Sequence, residues 1–420
     1  MPRALCLALS LLAARASAAR LELGPYLQNV RSDGVTVIWE TDAPAEGALV
    51  VATPSGERRF PSPSGTHHEV RATGLPPGRY RYHVESGGAA SHDAEFATAI
   101  AGDTFTFLVY GDNRDRDYEH AQVIAAMSGE RADLALQTGD MTGDAASDAL
   151  WRRFFAIEAP LVSSVPMYAA IGNHELLNDP GLTHYHRFFA PPDLAPGEPD
   201  NERYYSFRYA NALFVALDGN QSHSQAQAQW LTRTLDAAAA DRAIAHTFVF
   251  FHQPPFSNGD ICGSAAEQGL WVPELERRGV RAVFTGHDHS YQHLERNGVR
   301  YFVTGGGGAP LHKESVSCPE YDRHALVMFR GAYHYLRVRV RGAEVVLDAI
   351  AADGQTLERV ALHEPAPAHD HVEPPVPFDH LPATPTGARR PLVSMPIVLV
   401  AVGLLGTLVI GLGVFRRRAR

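Results

Sequence analysis

Five short segments of the chain combine carboxylate, amide and imidazole side chains, the groups that bind divalent metal ions. They occur in the order GDN, GDM, GNHE, FFHQ and GHDH, and each closes an apolar run. Such ligands without thiolates suit two borderline divalent ions better than an iron–sulfur cluster or a structural zinc site. The residues concerned are Asp112, Asp140, Asn173, His174, His252, His287 and His289.

The elements around these segments predict how they are brought together. From Asp103 to about His363, apolar runs of strand length alternate with helical patterns, which predicts an α/β sandwich with sheets buried on both faces. In such sheets ligands bind beyond the carboxyl ends of the strands, where the five segments fall. Helices are expected at Tyr118–Met127, Asp148–Ile157 and Gln225–Ala240, and antiparallel hairpins at Tyr204–Asp218 and Tyr335–Ile350.

The preceding region, from Leu21 to about Thr98, lacks helical periodicity. Short strands separated by turn residues, such as GVTVIWET (34–41) and GALVVAT (47–53), predict a small β-sandwich. Tyr80 and Tyr82 follow a Pro-Pro-Gly turn and suit a tyrosine corner. No catalytic constellation is evident in this region.

The two ends of the chain predict export and membrane attachment. Residues 1–19 have a basic start, a short apolar core and an Ala-Ser-Ala site, as in a secretory signal peptide. Residues 392–415 carry no charge and are long enough to cross a bilayer, with an arginine-rich tail at 416–420 that belongs on the cytoplasmic side. A sorting signal removed after export is the alternative. Residues 364–391, rich in proline, read as an extended stalk.

The net charge of the chain limits the partners and substrates that it can bind. The formal net charge of −10 argues against a nucleic-acid-binding surface. The two ends contain arginines but no acidic residues, so the region between them is more acidic still. An anionic substrate would therefore need positive charge supplied at its own site. The single lysine, Lys313, among 37 basic residues indicates a GC-rich genome and, with the two ends, a bacterial envelope protein.

Cysteine usage agrees with export. Cys6 leaves with the signal peptide, so Cys262 and Cys318 remain, and in an oxidising compartment they are expected to form one disulfide. Two free thiols are the alternative.

The ordered segments resemble the motifs of the calcineurin-like metallophosphoesterase superfamily. The first region, including GLPPGRYRYHV, resembles the N-terminal domain of purple acid phosphatases, so the resemblance covers about Leu21 to His363. It implies a fibronectin III-like sandwich at 20–100 and a four-layer α-β-β-α metallophosphoesterase domain at 101–363. It also implies a dinuclear centre, with Asp112, Asp140 and His289 on the first metal, Asn173, His252 and His287 on the second, and Asp140 bridging.

The resemblance gives His174 the role of a proton donor or charge stabiliser at the leaving oxygen. A histidine with an ordinary pKa can protonate an alkoxide near neutral pH. The alternative is a hydrogen bond that orients Asp112 or Asp140.

Two positions depart from the family pattern. Gly143 stands where purple acid phosphatases have a metal-binding tyrosine, so no iron(III)–tyrosinate colour is expected. Arg114 stands where many members have a metal-binding histidine, which leaves three protein ligands for the first metal unless His120 supplies a fourth. Arg114 could clamp the substrate phosphate or pair with Asp115 or Asp117.

These features together predict an exported, membrane-anchored phosphatase that hydrolyses small-molecule phosphate monoesters with metal-activated water and two Mn, Fe or Zn ions. A phosphodiesterase or nucleotide pyrophosphatase on the same centre is one alternative. A catalytically weak surface-binding protein that uses its β-sandwich is another. The glycine run 305–308 lacks the lysine and hydroxyl residue of a P-loop and is expected to form a flexible loop at the rim of the site.

Overall fold

A computed structural model describes residues 19–192 and 202–362 of the chain. The predicted signal peptide, apart from Ala19, lies outside these residues, as do the stalk, the apolar segment and the basic tail. Within the described ranges no helix is both long and apolar enough to span a membrane.

The first part of the chain is a β domain, as predicted. It forms a six-stranded sheet in which β1, β2, β4 and β5 are neighbours, β3 pairs with β2, and β6 pairs with β4. Its strands are β1 (Leu21–Arg31), β2 (Gly34–Thr53), β3 (Gly56–Ala72), β4 (Arg79–Ser86), β5 (Ala89–Ala90) and β6 (Ala94–Ala97).

The structure refines two predictions made for this domain, the separate strands at 34–41 and 47–53 and the tyrosine corner. The runs at 34–41 and 47–53 belong to one strand, β2, whose pairing with β3 shifts register between Glu40 and Gly47, around Pro44, which has no N–H to donate. The Tyr80 hydroxyl donates to the Pro76 carbonyl at 2.5 Å, which is the bond of a tyrosine corner. The Tyr82 hydroxyl instead donates to the Ser163 carbonyl, 2.7 Å away in the second part of the chain.

The second part of the chain contains two sheets. The six-stranded sheet has the order β19-β18-β17-β7-β8-β9, and the seven-stranded sheet has the order β10-β11-β12-β13-β15-β14-β16. Strands β7, β8 and β9 run parallel, as do β11, β12, β13 and β15. The strands are β7 (Thr104–Tyr110), β8 (Leu134–Gln137), β9 (Met167–Ala169), β10 (Tyr205–Tyr209), β11 (Ala212–Ala216), β12 (His246–Phe250), β13 (Ala282–Thr285), β14 (Tyr291–Arg296), β15 (Val299–Thr304), β16 (Leu326–Arg330), β17 (His334–Arg341), β18 (Glu344–Ala351) and β19 (Thr356–Ala361).

Helices cover the outer face of each sheet, which confirms the predicted four-layer arrangement. They are α1 (Asp117–Ser128), α2 (Asp148–Val162), α3 (Thr183–Phe188), α4 (Gln225–Ala240), α5 (Ala265–Leu270), α6 (Val272–Arg277) and α7 (Glu320–Ala325), with short 3₁₀ turns at His174–Leu176 and Gly219–Gln221. Each of the three helices expected from periodicity is present within a few residues of its predicted bounds.

Aromatic side chains fill the space between the two sheets. The Phe107 ring lies 5.1 Å from that of Phe214 and 5.0 Å from that of Phe248 (centroid distances), so the two sheets pack face to face on apolar rings. The same buried cluster continues into the β domain through residues such as Leu27 and Trp39. The division of the chain near residue 100 falls between β6 and β7 and stays a prediction.

Candidate metal centre

The residues predicted to bind metal lie in loops that follow the ends of five strands, and these strands belong to both sheets. Strands β7, β8 and β9 lead into Asp112, Asp140 and Asn173, and strands β12 and β13 lead into His252 and His287. Asp112, Asp140 and His287 adopt left-handed backbone conformations, with φ of 58°, 58° and 69°. Non-glycine residues adopt this conformation at a cost, commonly at functional sites. Because the chain turns sharply after these strands, the side chains point into one shared space.

Four ligand atoms meet at what we call the second position. The Nε2 atom of His252 lies 3.1 Å from Asn173 Oδ1, 3.2 Å from Asp140 Oδ1 and 3.2 Å from His287 Nδ1. The other ring nitrogen of His252 bonds to the Thr138 carbonyl at 2.9 Å, so it donates and Nε2 faces the cluster. Asp140, His252 and His287 have a spacing at which their ligand atoms could hold one metal ion.

Three further atoms form what we call the first position: Asp112 Oδ1, Asp140 Oδ2 and His289 Nε2. Asp112 Oδ1 and His289 Nε2 lie 3.5 Å apart. The Nδ1 atom of His289 lies 2.8 Å from the Pro310 carbonyl, to which it donates, so Nε2 faces the position. The two oxygens of Asp140 thus face different positions, as a bridging carboxylate requires.

Burial and neighbouring charge set the protonation of these groups. Burial lowers the pKa of His252, but the carboxylates of Asp140 and Asp112 outweigh it and raise the value to about 9. Burial together with the charge of His252 lowers the pKa of His287 to about 3. Burial, with the nearby His312, lowers the pKa of His289 to about 4. Near neutral pH the second position therefore carries one positive charge, on His252, whereas the imidazole of His287 is neutral.

The residues fit a metal ion on an observation independent of the motifs. Asp112 Oδ1 is buried and accepts no hydrogen bond from the described residues, and burial raises the pKa of Asp112 well above its ordinary value. A buried carboxylate oxygen without a donor is costly unless a cation neutralises it. Oxygen and imidazole atoms converging in this way suit Mn, Fe or Zn.

Glu175, which the sequence reading passed over, holds the ligand loops together. Its carboxylate accepts the backbone N–H groups of Asp140 and Gly172 at 2.8 Å and of Met141 at 2.9 Å. Burial and the charge of Asp140 raise the pKa of Glu175 to about 7. The signal was present in the sequence, because Glu175 is the last residue of GNHE.

His174 lies beside the cluster. Its backbone N–H donates to Asp140 Oδ1 at 2.9 Å, and its ring nitrogen Nε2 lies 3.8 Å from Asp140 Oδ2. Its Nδ1 lies 3.2 Å from the Gly143 carbonyl, and a fifth of the side chain is exposed. The ring is therefore held at one nitrogen while the other faces the site.

His120 is not brought to the cluster by a contact of its side chain. Its Nε2 atom pairs with Glu158 at 2.8 Å, and the other oxygen of that carboxylate accepts the Tyr110 hydroxyl at 2.8 Å. The ring is buried and stacks on Phe154. This is the arrangement of a satisfied core histidine on the buried face of helix α1.

Arg114 combines features of both predicted roles. Its guanidinium pairs with the Asp115 carboxylate, as the salt-bridge interpretation expected, whereas Asp117 pairs with Arg153. The same guanidinium also lies 3.3 Å from Asp140 Oδ2 and 3.3 Å from His289 Nε2. Arg114 is therefore part of the cluster.

The glycine run 305–308 was expected to be a flexible loop and is instead buried against the Asp112 loop. The Gly307 N–H donates to the Gly111 carbonyl at 2.9 Å, and the Ala309 N–H to the Asp112 carbonyl at 2.8 Å. A Cβ at position 307 would lie 2.3 Å from the Gly111 carbonyl oxygen, so a larger residue there would displace the loop that carries Asp112. The glycines allow this backbone to lie close against the Asp112 loop, and the sequence alone did not distinguish that role from loop flexibility.

The predicted disulfide is confirmed, and it fastens the loops next to His289. Cys262 and Cys318 are bonded with their Cα atoms 5.3 Å apart. The neighbouring Ile261 N–H donates to Asp288 at 3.0 Å, and the same carboxylate oxygen lies 3.2 Å from His312 Nδ1. The His312 ring stacks on that of His289 at 4.1 Å, so the disulfide loop supports a candidate ligand through two side chains that the sequence reading omitted.

Comparisons with known proteins agree with this geometry. Residues 100–291 match the family model of the calcineurin-like phosphoesterases. Probable purple acid phosphatase 20 of Arabidopsis thaliana is 24% identical over 296 residues, which are 64% of this chain and 68% of that protein. Purple acid phosphatase PPD1 from yellow lupin (Lupinus luteus) superposes with a TM-score of 0.66 at 17% identity, covering 80% of this chain and 73% of the other. PhoD superposes with a TM-score of 0.60 at 15% identity, over 82% and 90% of the two chains.

Residues 100–291 thus resemble the calcineurin-like phosphoesterases, and the comparisons support a hydrolase that acts on phosphate esters, of the purple acid phosphatase kind. The family and fold predicted from the motifs are confirmed. The roles of the individual site residues stay predictions, which the contacts above support.

Proposed function

We propose that the chain is a metal-dependent phosphatase that hydrolyses phosphate monoesters. The observation that carries this proposal is the convergence, on loops from both sheets, of the atoms of the first and second positions around the two oxygens of Asp140. We propose that Asp112, Asp140, Asn173, His252, His287 and His289 hold the metal. Bound metal would supply positive charge for phosphate oxygens and acidify water.

The chain's own residues supply the rest of the reaction. Asp140 is oriented by the backbone N–H of His174 and by Glu175, which fixes the loop that carries it. Nε2 of His174 faces the same space and can hold a proton for the leaving oxygen, since its other nitrogen bonds to the Gly143 carbonyl.

Arg114 favours a monoester over a diester as substrate. Its guanidinium adds a permanent positive charge beside Asp140 and His289, within a chain that is acidic overall. A monoester dianion carries more negative charge than a diester and gains more from a cation at this place. The substrate class proposed is therefore a small phosphorylated molecule.

The test is hydrolysis by the full-length chain purified without chelator. Wild type should hydrolyse p-nitrophenyl phosphate faster than bis(p-nitrophenyl) phosphate, and Asp140→Asn should lose turnover at least about 100-fold. Asp93→Asn, at an exposed carboxylate in the β domain, is the matched control and should keep wild-type turnover. Faster cleavage of the bis-ester would favour the phosphodiesterase. No turnover after addition of Mn, Zn or Fe would favour the binding protein.

We also propose that the enzyme is exported and attached to a membrane. The disulfide supports an oxidising compartment, and the charge-free segment 392–415 followed by arginines supports attachment, although that segment lies outside the described residues. Protease treatment of intact cells that express the chain should digest the phosphatase while a cytoplasmic marker survives. Protection of both would contradict export, and release of the phosphatase by a salt wash would contradict a spanning segment.

A further inference from the structure

We infer that the guanidinium of Arg114 takes the place of the first metal ion, so that the enzyme carries one tightly bound ion, at the second position. This inference rests on the proposed metal-dependent function and specifies how many ions it uses. It departs from the dinuclear centre that the family resemblance implies, and of the six proposed ligands it leaves those of the second position to hold the ion, namely Asp140, Asn173, His252 and His287.

The first observation is where the guanidinium lies. Its Nε and one terminal nitrogen are each 3.3 Å from an atom of the first position, Asp140 Oδ2 and His289 Nε2 respectively. The His289 ring donates through its other nitrogen to Pro310, so Nε2 has a lone pair, and that lone pair accepts from Arg114. Two of the three ligand atoms of the first position are therefore engaged by one cationic side chain.

The third ligand atom, Asp112 Oδ1, needs a nearby cation, and Arg114 supplies one, because its guanidinium bonds to His289 Nε2, which lies 3.5 Å from that oxygen. The other oxygen of Asp112 accepts the His287 backbone N–H at 2.9 Å, which leaves Oδ1 as the one oxygen of that carboxylate without a donor. An ion entering the first position would have to displace Arg114 from Asp140 and His289. A guanidinium cannot lose its charge by deprotonation, so it competes with a metal ion at every working pH.

The second observation explains why Arg114 stays there. Asp115 pairs with the guanidinium from the opposite side and has a left-handed backbone with φ of 76°. Its Oδ1 atom occupies the space above Gly143, because a Cβ at position 143 would lie 2.8 Å from it. The two departures from the family pattern are therefore one arrangement: the absence of a side chain at 143 makes room for Asp115, and Asp115 holds Arg114.

The second position differs from the first in that its ligand atoms are not bonded to a cationic arginine or lysine side chain of the described residues. Asn173 Oδ1, Asp140 Oδ1 and His287 Nδ1 surround His252 Nε2 at 3.1–3.2 Å, and no arginine or lysine of the described residues is bonded to any of these atoms. A metal ion can therefore enter here without displacing a bonded arginine or lysine. One position is therefore open to a metal ion, whereas a fixed cation already serves the other.

The experiment measures metal content rather than activity. Full-length wild type, dialysed against Mn²⁺ and then against metal-free buffer, should retain about one ion per chain by elemental analysis. Arg114→His removes the guanidinium and adds an imidazole, and it should retain two. Arg116→His changes the neighbouring exposed arginine, which pairs with Glu119, and should retain one. Two ions in wild type, or one in Arg114→His, would overturn the inference.

A titration keeps the inference testable where Arg114→His fails to fold. Calorimetric addition of Mn²⁺ to chelator-treated wild type should show one tight phase, with any further binding roughly 100-fold weaker or more. Two phases of similar affinity would overturn the inference. Hydrolysis by a wild type that holds two ions would leave the proposed function intact, whereas no metal and no hydrolysis in any variant would contradict the proposed function itself.

Discussion

The Oε2 atom of Glu175 lies 2.8 Å from the backbone nitrogen of Asp140, and this bond joins two of the five loops that build the metal centre. The same carboxylate accepts the N–H groups of Gly172 and Met141. Glu175 thus fixes the loop of the candidate bridging carboxylate against the loop of Asn173. It acts on the centre through backbone position and touches no candidate ligand side chain in the contacts described.

Glu175→Gln should weaken both folding and metal binding. The amide NH₂ of glutamine cannot accept from N–H groups, so at least one of the three buried donors loses its partner, at a cost of about 1–3 kcal/mol. Residues that orient ligands typically change metal affinity 10–100-fold when replaced, and a loss of about that size is expected here. Urea unfolding of the chelator-treated protein and calorimetric Mn²⁺ titration measure the two effects.

Glu57→Gln, at an exposed position near the start of strand β3, is the control for that variant and should change neither quantity. Unfolding and Mn²⁺ affinity equal to wild type in Glu175→Gln would show that the three N–H groups find other acceptors, and the positioning role would be wrong.

The sequence predicted which residues meet better than how they are held. Apolar runs ending in Asp140, His252 and His287 predicted the convergence, because parallel strands place their carboxyl ends at one edge. The GNHE motif contains Glu175 but does not show that its carboxylate accepts the N–H groups of the Asp140 loop, and the stacking of His312 on His289 depends on which loops lie side by side in the fold. Arg114 was ambiguous for the same reason: its partner Asp115 adjoins it in the chain, but Asp140 and His289 do not.

His174→Asn should separate proton donation from metal binding. An alkyl phosphate needs its leaving oxygen protonated, whereas p-nitrophenolate is stable enough to leave as an anion. The kcat for an alkyl monoester such as glycerol phosphate should therefore fall by about 10²–10⁴, and that for p-nitrophenyl phosphate should fall much less. Metal content should stay at the wild-type level, because the His174 ring is not among the atoms of either position.

His324→Asn, on a histidine whose side chain is three-quarters exposed, is the matched control and should leave both rates unchanged. Equal losses of kcat on the two esters, accompanied by loss of metal, would assign His174 the orienting role instead.

Replacing both cysteines of the disulfide by serine should lower stability and loosen the His289 side of the centre. The bridge joins residues 56 apart in sequence, and closing a loop of that length constrains the unfolded chain by roughly 4 kcal/mol. The folded protein should also bind metal more weakly, because the loop next to Cys262 supports Asp288, which in turn bonds to His312. Urea unfolding and Mn²⁺ titration of Cys262→Ser/Cys318→Ser test both effects. A stability loss with unchanged metal affinity would confine the disulfide to folding.

Glu267 should make the protein less stable as the pH rises from about 5 to 8. Burial raises its pKa from 4.5 to about 7, so in this window the folded state binds a proton that the unfolded state has released. Raising the pH then favours unfolding, by roughly 1–3 kcal/mol across the window. Glu267→Gln removes this term, so its stability relative to wild type should increase steadily with pH in urea unfolding at pH 5, 6, 7 and 8.

Glu274→Gln on the next helix is the control of opposite sign, since bonds from Thr232 and Arg278 lower the pKa of Glu274 despite partial burial. That variant should be less stable than wild type by a similar amount at every pH in the series. A flat difference for Glu267→Gln would mean that its carboxyl group is ionised in the folded protein throughout the window.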